Sequence, residues 1–182
     1  MVEKVVINGM QVDLASLRVI HYPDPRLRAV CQDVRIDEQA IRSLADRMFE
    51  LMDQARGVGL AAPQVGLGLR LFTASPASAP SERAVYVNPR IVAVEGQQED
   101  EEGCLSFPGI NCKIKRAAVV TIRALDAAGK PFEQTGQDML ARIFQHEIDH
   151  LDGMLLVDRM GSVAKLANRR TLKELEEVFA EK

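Results

Sequence analysis

Apolar residues recur at three- and four-residue steps in three stretches of this chain and form short β-branched runs elsewhere, a pattern that predicts both helices and strands. Ile41, Leu44, Ala45, Met48, Leu51, Met52 and Ala55 make one helical stripe, with Asp37 placed to cap it and Gly57 to end it. Met139, Ile143, His146 and His150 make a second, over about Asp138 to Leu151. A third begins near Ser162 and carries Leu166, Leu172, Leu175, Val178 and Phe179. Strands are expected over Leu69 to Ala74, Arg83 to Asn88, Ile91 to Glu95, Ala117 to Leu125 and Pro131 to Thr135. They are separated by the Pro- and Ser-rich Ser75 to Ser81, by Asn88-Pro89, by a polar loop from Gly96 to Glu101 and by a turn from Asp126 to Lys130. Asn8-Gly9 tolerates the positive φ angles of a tight turn, so Val5-Val6-Ile7 and Met10-Gln11-Val12 read as a hairpin within an N-terminal extension, residues 1–16. Tyr22-Pro23-Asp24-Pro25 is a turn, and the glycine-rich segment from Gly57 to Gly68 is a loop that presents backbone rather than side chains. The expected fold class is α+β. A single domain over residues 1–182 packs short antiparallel sheets around a central helix, with one helix in the N-terminal half and one at the C-terminus.

The second stripe carries the chemistry. Gln145-His146-Glu147-Ile148-Asp149-His150 contains H-E-x-x-H, and a four-residue step on a helix returns to within roughly 40° of its start, so both imidazoles leave one face. Two nitrogens can then reach one metal ion, while Glu147 sits beside that ion, placed to take a proton from water. Met139 and Ile143 extend the same stripe, which puts the histidines on the apolar, inward face. Some metalloproteases find a third ligand in a histidine six residues on, after a glycine. Here Gly153 is present but Leu156 stands where that histidine would be. Glu174, Glu176 and Glu177 lie in a charged, repetitive segment of the kind that forms solvent faces. Cys104, in Glu101-Glu102-Gly103-Cys104-Leu105-Ser106, is the better candidate, because a thiolate with two imidazoles leaves one coordination position open for catalysis.

Composition narrows the partners. The chain has 182 residues, 23 Lys and Arg against 26 Asp and Glu, and a net charge of −3, so no global basic field draws it to DNA or an anionic membrane. No apolar run approaches spanning length and Met1 to Met10 lacks a secretion signal's core, which suits a cytoplasmic protein. Three cysteines, Cys31, Cys104 and Cys112, do not resemble a disulfide framework, and Cys31 and Cys112 read as core.

Three blocks in order, Gly57-Val58-Gly59-Leu60-Ala61-Ala62-Pro63-Gln64, Glu102-Gly103-Cys104-Leu105-Ser106 and Gln145-His146-Glu147-Ile148-Asp149-His150, resemble the peptide deformylase family in its bacterial form. The resemblance runs from about Tyr22 to the last helix. It implies a hydrolase that removes the formyl group from N-terminal formyl-methionine of nascent polypeptides and releases formate. It implies one divalent metal on Cys104, His146 and His150, with iron(II) the working ion and zinc, nickel or cobalt as substitutes. Glu147 is then the acid and base, while Gln64 and the Leu105 N–H hold the developing oxyanion. Val58, Gly59, Gly103, Met139 and Ile143 are the expected substrate-binding residues. The basic stripe Lys165, Arg169, Lys173 makes the C-terminal helix a candidate ribosome contact. Two rival classes are a zincin-like metallopeptidase and a non-catalytic metal-stabilised module.

Overall fold

The computed structural model describes residues 4–76 and 82–181. At the N-terminus β1 (Lys4–Ile7) and β2 (Met10–Asp13) pair antiparallel, and Asn8 and Gly9 between them take φ of 52° and 79°. Two left-handed residues give the turn whose twist matches its strands, which is the hairpin that Asn-Gly encodes. Val5, Ile7 and Val12 turn inward from it to pack on α1 (Glu38–Gln54). Asp37 caps that helix by accepting from the Ala40 N–H, and Ile41, Leu44, Met48 and Met52 are fully buried along its stripe.

The segment from Gly57 to Gly68 is more ordered than a loop. It contains β3 (Gly59–Ala61) and a 3-10 turn over Ala62–Val65, because the small Gly and Ala residues let the chain run flat against its neighbours. β3 is the edge strand of a five-stranded antiparallel sheet of order β3-β4-β5-β8-β9. β4 is Leu71–Ala74 and β5 is Ala84–Glu95. Asn88-Pro89 does not interrupt the sheet as the sequence predicts; β5 runs through it with a shift of register. Asn88 takes φ of 52° and its side chain bonds both the N–H and the C=O of Val34, so the irregularity is pinned as a bulge. Within the expected Ser75 to Ser81 separator, residues 77–81 lie outside the described residues.

The polar stretch expected to be a loop is largely a strand. β6 (Gln98–Gly103) pairs with β7 (Asn111–Arg116) in a separate hairpin. Glu99 lies opposite Lys115 and Glu101 opposite Lys113, so cross-strand charge supports a strand that has no apolar alternation. β8 (Val119–Leu125) and β9 (Pro131–Gln137) complete the large sheet, and α2 (Asp138–Leu151) follows directly. Phe144, Ile148 and Leu151 of α2 pack on Phe72, Tyr86, Val120 and Ile122 of the sheet. Phe72 stacks on Tyr86 at 4.5 Å and Phe144 meets Tyr86 edge-on at 5.3 Å, both within the range where ring pairs attract.

A third cluster joins Leu27, Phe107, Ile110, Cys112 and Ile114 to Leu155 and Leu156 around α3 (Leu156–Arg159). The single C-terminal helix expected from the stripe is divided at Asn168 into α4 (Ser162–Ala167) and α5 (Arg169–Ala180). The Asn168 side chain bonds back to the Ala164 C=O, a local competition with the helical ladder. Of its apolar positions only Leu172 and Leu175 pack on the third cluster; Leu166, Val178 and Phe179 are exposed. Cys31 and Cys112 are buried and free, as their reading as core requires. No helix among the described residues is long and apolar enough to cross a membrane.

Candidate metal centre

Three elements deliver the polar groups. The β6–β7 hairpin brings Glu102 and, one residue past the strand, Cys104; α2 brings His146, Glu147 and His150; the 3-10 turn brings Gln64. Cys104 Sγ lies 3.2 Å from His150 Nε2, which lies 3.3 Å from His146 Nε2. All three ligand atoms fall within 4.8 Å of one another. Three donor atoms this close can share a proton or a metal ion, and a thiolate with two imidazoles suits zinc, iron(II), nickel or cobalt. The residues therefore fit a divalent cation. Leu156 is buried in the third cluster, while Glu174, Glu176 and Glu177 bond to Arg170, Tyr22 and Lys173, so the alternative third ligands are engaged elsewhere.

Burial alone lowers both imidazoles, but at His146 hydrogen bonds with Cys104 and Glu102 outweigh it and raise the ring well above its ordinary value. At His150 burial and the neighbouring His146 both act downward, and the ring is held well below it. Glu147 is 3% exposed and burial pushes its carboxyl up to about 7. Gly59 explains how Glu147 fits, since an added Cβ at that position would lie 2.9 Å from the Glu147 Cδ.

The site also draws on residues to which the sequence alone assigns no role: Glu102, Ser106 and Asp149, which lie within its motif blocks, and Arg116 and Arg142, which lie outside them. Glu102 accepts from His146 Nδ1 at 2.7 Å, and because a carboxylate only accepts, Nδ1 carries the proton and Nε2 faces the other ligands. Arg116 grips both Glu102 oxygens at 3.1 and 2.6 Å, and Arg142 adds a third contact at 2.8 Å. Arg116 also reaches Asp149 at 2.6 Å. Burial would raise the Glu102 carboxyl, yet its bonds to His146 and Arg116 hold it far below the usual range. Ser106, fully buried, lies 3.3 Å from Gln64 Nε2. The place of Glu102 in the Cys104 block and a two-residue strand period, which puts it on the Cys104 side, are the sequence signals that point to it.

A cavity of about 560 Å³ opens on this cluster, and every expected site residue except His150 lines it. His150 is 1% exposed, behind the wall. Val58, Gly59 and Gln64 come from one side, Gly103, Cys104 and Leu105 from another, and Met139, Ile143, His146 and Glu147 from α2. Met139 departs from the inward face expected for it. It is 48% exposed, because the first turn of α2 stands at the cavity mouth before the helix enters the core at Ala141. Gln64 Oε1 accepts from the Ala61 N–H at 2.8 Å, which turns its NH₂ toward Cys104 Sγ, 3.5 Å away.

The family model for polypeptide deformylase matches residues 16–166, so the β1–β2 hairpin lies ahead of the match. Peptide deformylase from Acidobacterium capsulatum is 42% identical over 160 residues, spanning 87% of this chain and 94% of that one. The crystal structure of a peptide deformylase from Legionella pneumophila is similar at a TM-score of 0.82 and 44% identity, over 92% of this chain and 99% of that one. Arabidopsis thaliana peptide deformylase 1B gives a TM-score of 0.86 at 40% identity, over 91% and 93%. With its motifs gathered on one cavity and its length matched almost throughout, the chain belongs to the peptide deformylase family.

Proposed function

We propose that this protein hydrolyses the N-formyl amide of formyl-methionyl chain ends to formate and a free amine, with Cys104, His146 and His150 holding a divalent cation. The observation that carries the reading is the convergence of the Cys104 sulfur and two imidazole nitrogens beside Glu147, with Cys104 and His146 on the cavity wall and His150 directly behind it. When bound, the cation supplies Lewis acidity, polarising the carbonyl and lowering the pKa of water from about 15.7 toward 7.

The chain's own residues do the rest. Glu147 accepts the proton of the water that attacks the formyl carbon, then returns it to the amine nitrogen as the C–N bond breaks. Its carboxyl, raised to about 7, suits both duties near neutral pH. The Gln64 NH₂ and the Leu105 N–H donate to the carbonyl oxygen as charge develops; losing one such donor raises the barrier by ~2.7–4 kcal/mol. Gln64 cannot present its oxygen instead, because Ala61 occupies it.

Substrate lies along β3. The Ser75 N–H bonds the Val58 C=O, so the ladder's alternation turns the peptide groups of Gly59 outward to the free edge, where an extended peptide adds as a strand. Val58, Met139 and Ile143 line the methionine pocket, and Gly103 lies along its wall. Iron(II) is the working ion in this reading, with zinc, nickel or cobalt substituting, and the enzyme works in the cytoplasm where its substrates arise. The stripe Lys165, Arg169, Lys173 faces the ribosome; reversing all three charges should lower co-sedimentation with ribosomes, and unchanged co-sedimentation would remove that contact.

The main test is formate release from a formyl-methionyl peptide by metal-analysed protein, prepared with and without air. Activity that tracks iron content and declines in air is expected. A metal-loaded protein that releases no formate would overturn the reading.

A further inference from the structure

Beyond the ligands, buried charges alternate in sign from the cavity to the opposite face of α2. His146 meets Glu102, Glu102 meets Arg116, Arg116 meets Asp149, and Asp149 meets Arg159 of α3. The last contact is two-pronged, with Arg159 Nε 2.9 Å from Asp149 Oδ2 and Nη2 2.5 Å from Oδ1. The Glu102 and Arg116 side chains are 5% and 3% exposed, whereas that of Arg159 is 40% exposed. Arg159, Asp149 and Arg116 also line a second cavity, of about 360 Å³, which includes none of the Cys and His ligands.

We propose that Arg159 is a positioning residue for the metal centre: by holding Asp149 it fixes Arg116, which fixes Glu102 against His146 Nδ1. The inference rests on the reading of Cys104, His146 and His150 as metal ligands. Its physical basis is that Asp149 has two oxygens and two guanidinium claimants. With Arg159 on Oδ1 and sharing Oδ2, the carboxylate plane is set, and Arg116 has one orientation in which it satisfies Asp149 and both Glu102 oxygens. Without Arg159, Asp149 can rotate, Arg116 follows it, and the Glu102 contact that orients the imidazole loosens. Lysine at 159 would restore charge but not the fork.

The test is zinc affinity measured by competition with a chromophoric chelator, which does not depend on turnover. Arg159→Met should weaken zinc binding by about tenfold, at the low end for residues that orient a ligand from behind. Asp149→Asn should weaken it further, Arg159→Lys should recover some of the loss, and kcat should fall with KM unchanged. Arg90→Met, which removes an exposed pair with Asp33, is the control and should leave zinc affinity as it is. If Arg159→Met melts earlier but binds zinc within about twofold of the parent, the residue is only structural and the proposal fails. If Cys104→Ser binds zinc as tightly as the parent, the ligand reading fails instead.

Discussion

On the cavity side of α2, Glu147 is buried with Oε2 unpaired, and His150 Nδ1 and Arg142 Nη2 are likewise buried without partners. On the side toward β7 and α3, Asp149 is also buried, though less deeply, and both its oxygens are taken by Arg116 and Arg159. The two acids are two residues apart and therefore leave roughly opposite faces of the helix. Among the described residues, the buried side-chain atoms without partners all belong to α2 and lie in or beside the H-E-x-x-H segment. An unpaired buried polar atom costs free energy, so its persistence marks chemistry, while complete pairing marks a scaffold.

The largest effect that would break this contrast is at Glu147. Glu147→Gln keeps the shape and removes the base, so kcat should fall by about 10²–10⁴. Stability should hold or rise, because an incompletely paired buried carboxylate is gone. A variant that retains activity within about tenfold would take Glu147 out of the proton transfer. On the other face the opposite outcome is expected. Arg116→Met removes the buried cation that Glu102 and Asp149 share, leaving Glu102 to Arg142 and His146 and Asp149 to Arg159, and should cost about 3–5 kcal/mol in urea denaturation. A cost under about 1 kcal/mol would mean that the cluster relaxes and carries no scaffold role.

How much of the contrast is legible in the sequence depends on the range of the interactions. The bounds of α2, its two histidines and its acid are legible because they repeat at helical spacing within one short segment. Cys104 is legible from its glycine and from its neighbours. Arg116 and Asp149 are not, because they meet across 33 residues, and Glu102 reaches His146 across 44, distances at which no periodicity survives. β6 is hidden for a related reason: Glu99 and Glu101 look like loop until Lys115 and Lys113 lie opposite them. The stripe places Met139 on the inward face, and it cannot say that the first turn of a helix stands at the mouth of a cavity.

A smaller effect sharpens the contrast through pH. The Glu147 carboxyl, raised to about 7 by burial, lies above its unfolded value of about 4.3, so the native state keeps a proton that the unfolded state has lost. That contribution to stability is present at low pH and disappears as pH rises across this window. Glu102 has the opposite sign: held below the usual range, it contributes fully above its unfolded value, and the contribution is lost as pH falls from there through its folded value. In chelator-treated protein, the stability of Glu147→Gln relative to the parent should therefore increase from about pH 5 to about pH 7.5. Equal differences at the two pH values would show that Glu147 is not raised.

The smallest effect concerns an ion pair of the same chemistry placed in water. Lys173 and Glu177 approach at 3.4 Å on α5, with side chains 73% and 60% exposed, whereas the Arg116 pairs are closed off from solvent. Exposed pairs four residues apart on a helix contribute about 0.3–0.5 kcal/mol, because solvent screens the attraction and two long side chains lose freedom in making it. Lys173→Ala should thus shift the melting transition barely above error at low salt. The shift should vanish near 1 M salt, where the screening length is about 3 Å. The Arg116→Met loss should persist under the same conditions, since its charges are buried and screened far less. A salt-insensitive loss at Lys173 comparable to that at Arg116 would show that burial does not separate the two kinds of pair, and the distinction between scaffold and surface charge would have to be abandoned.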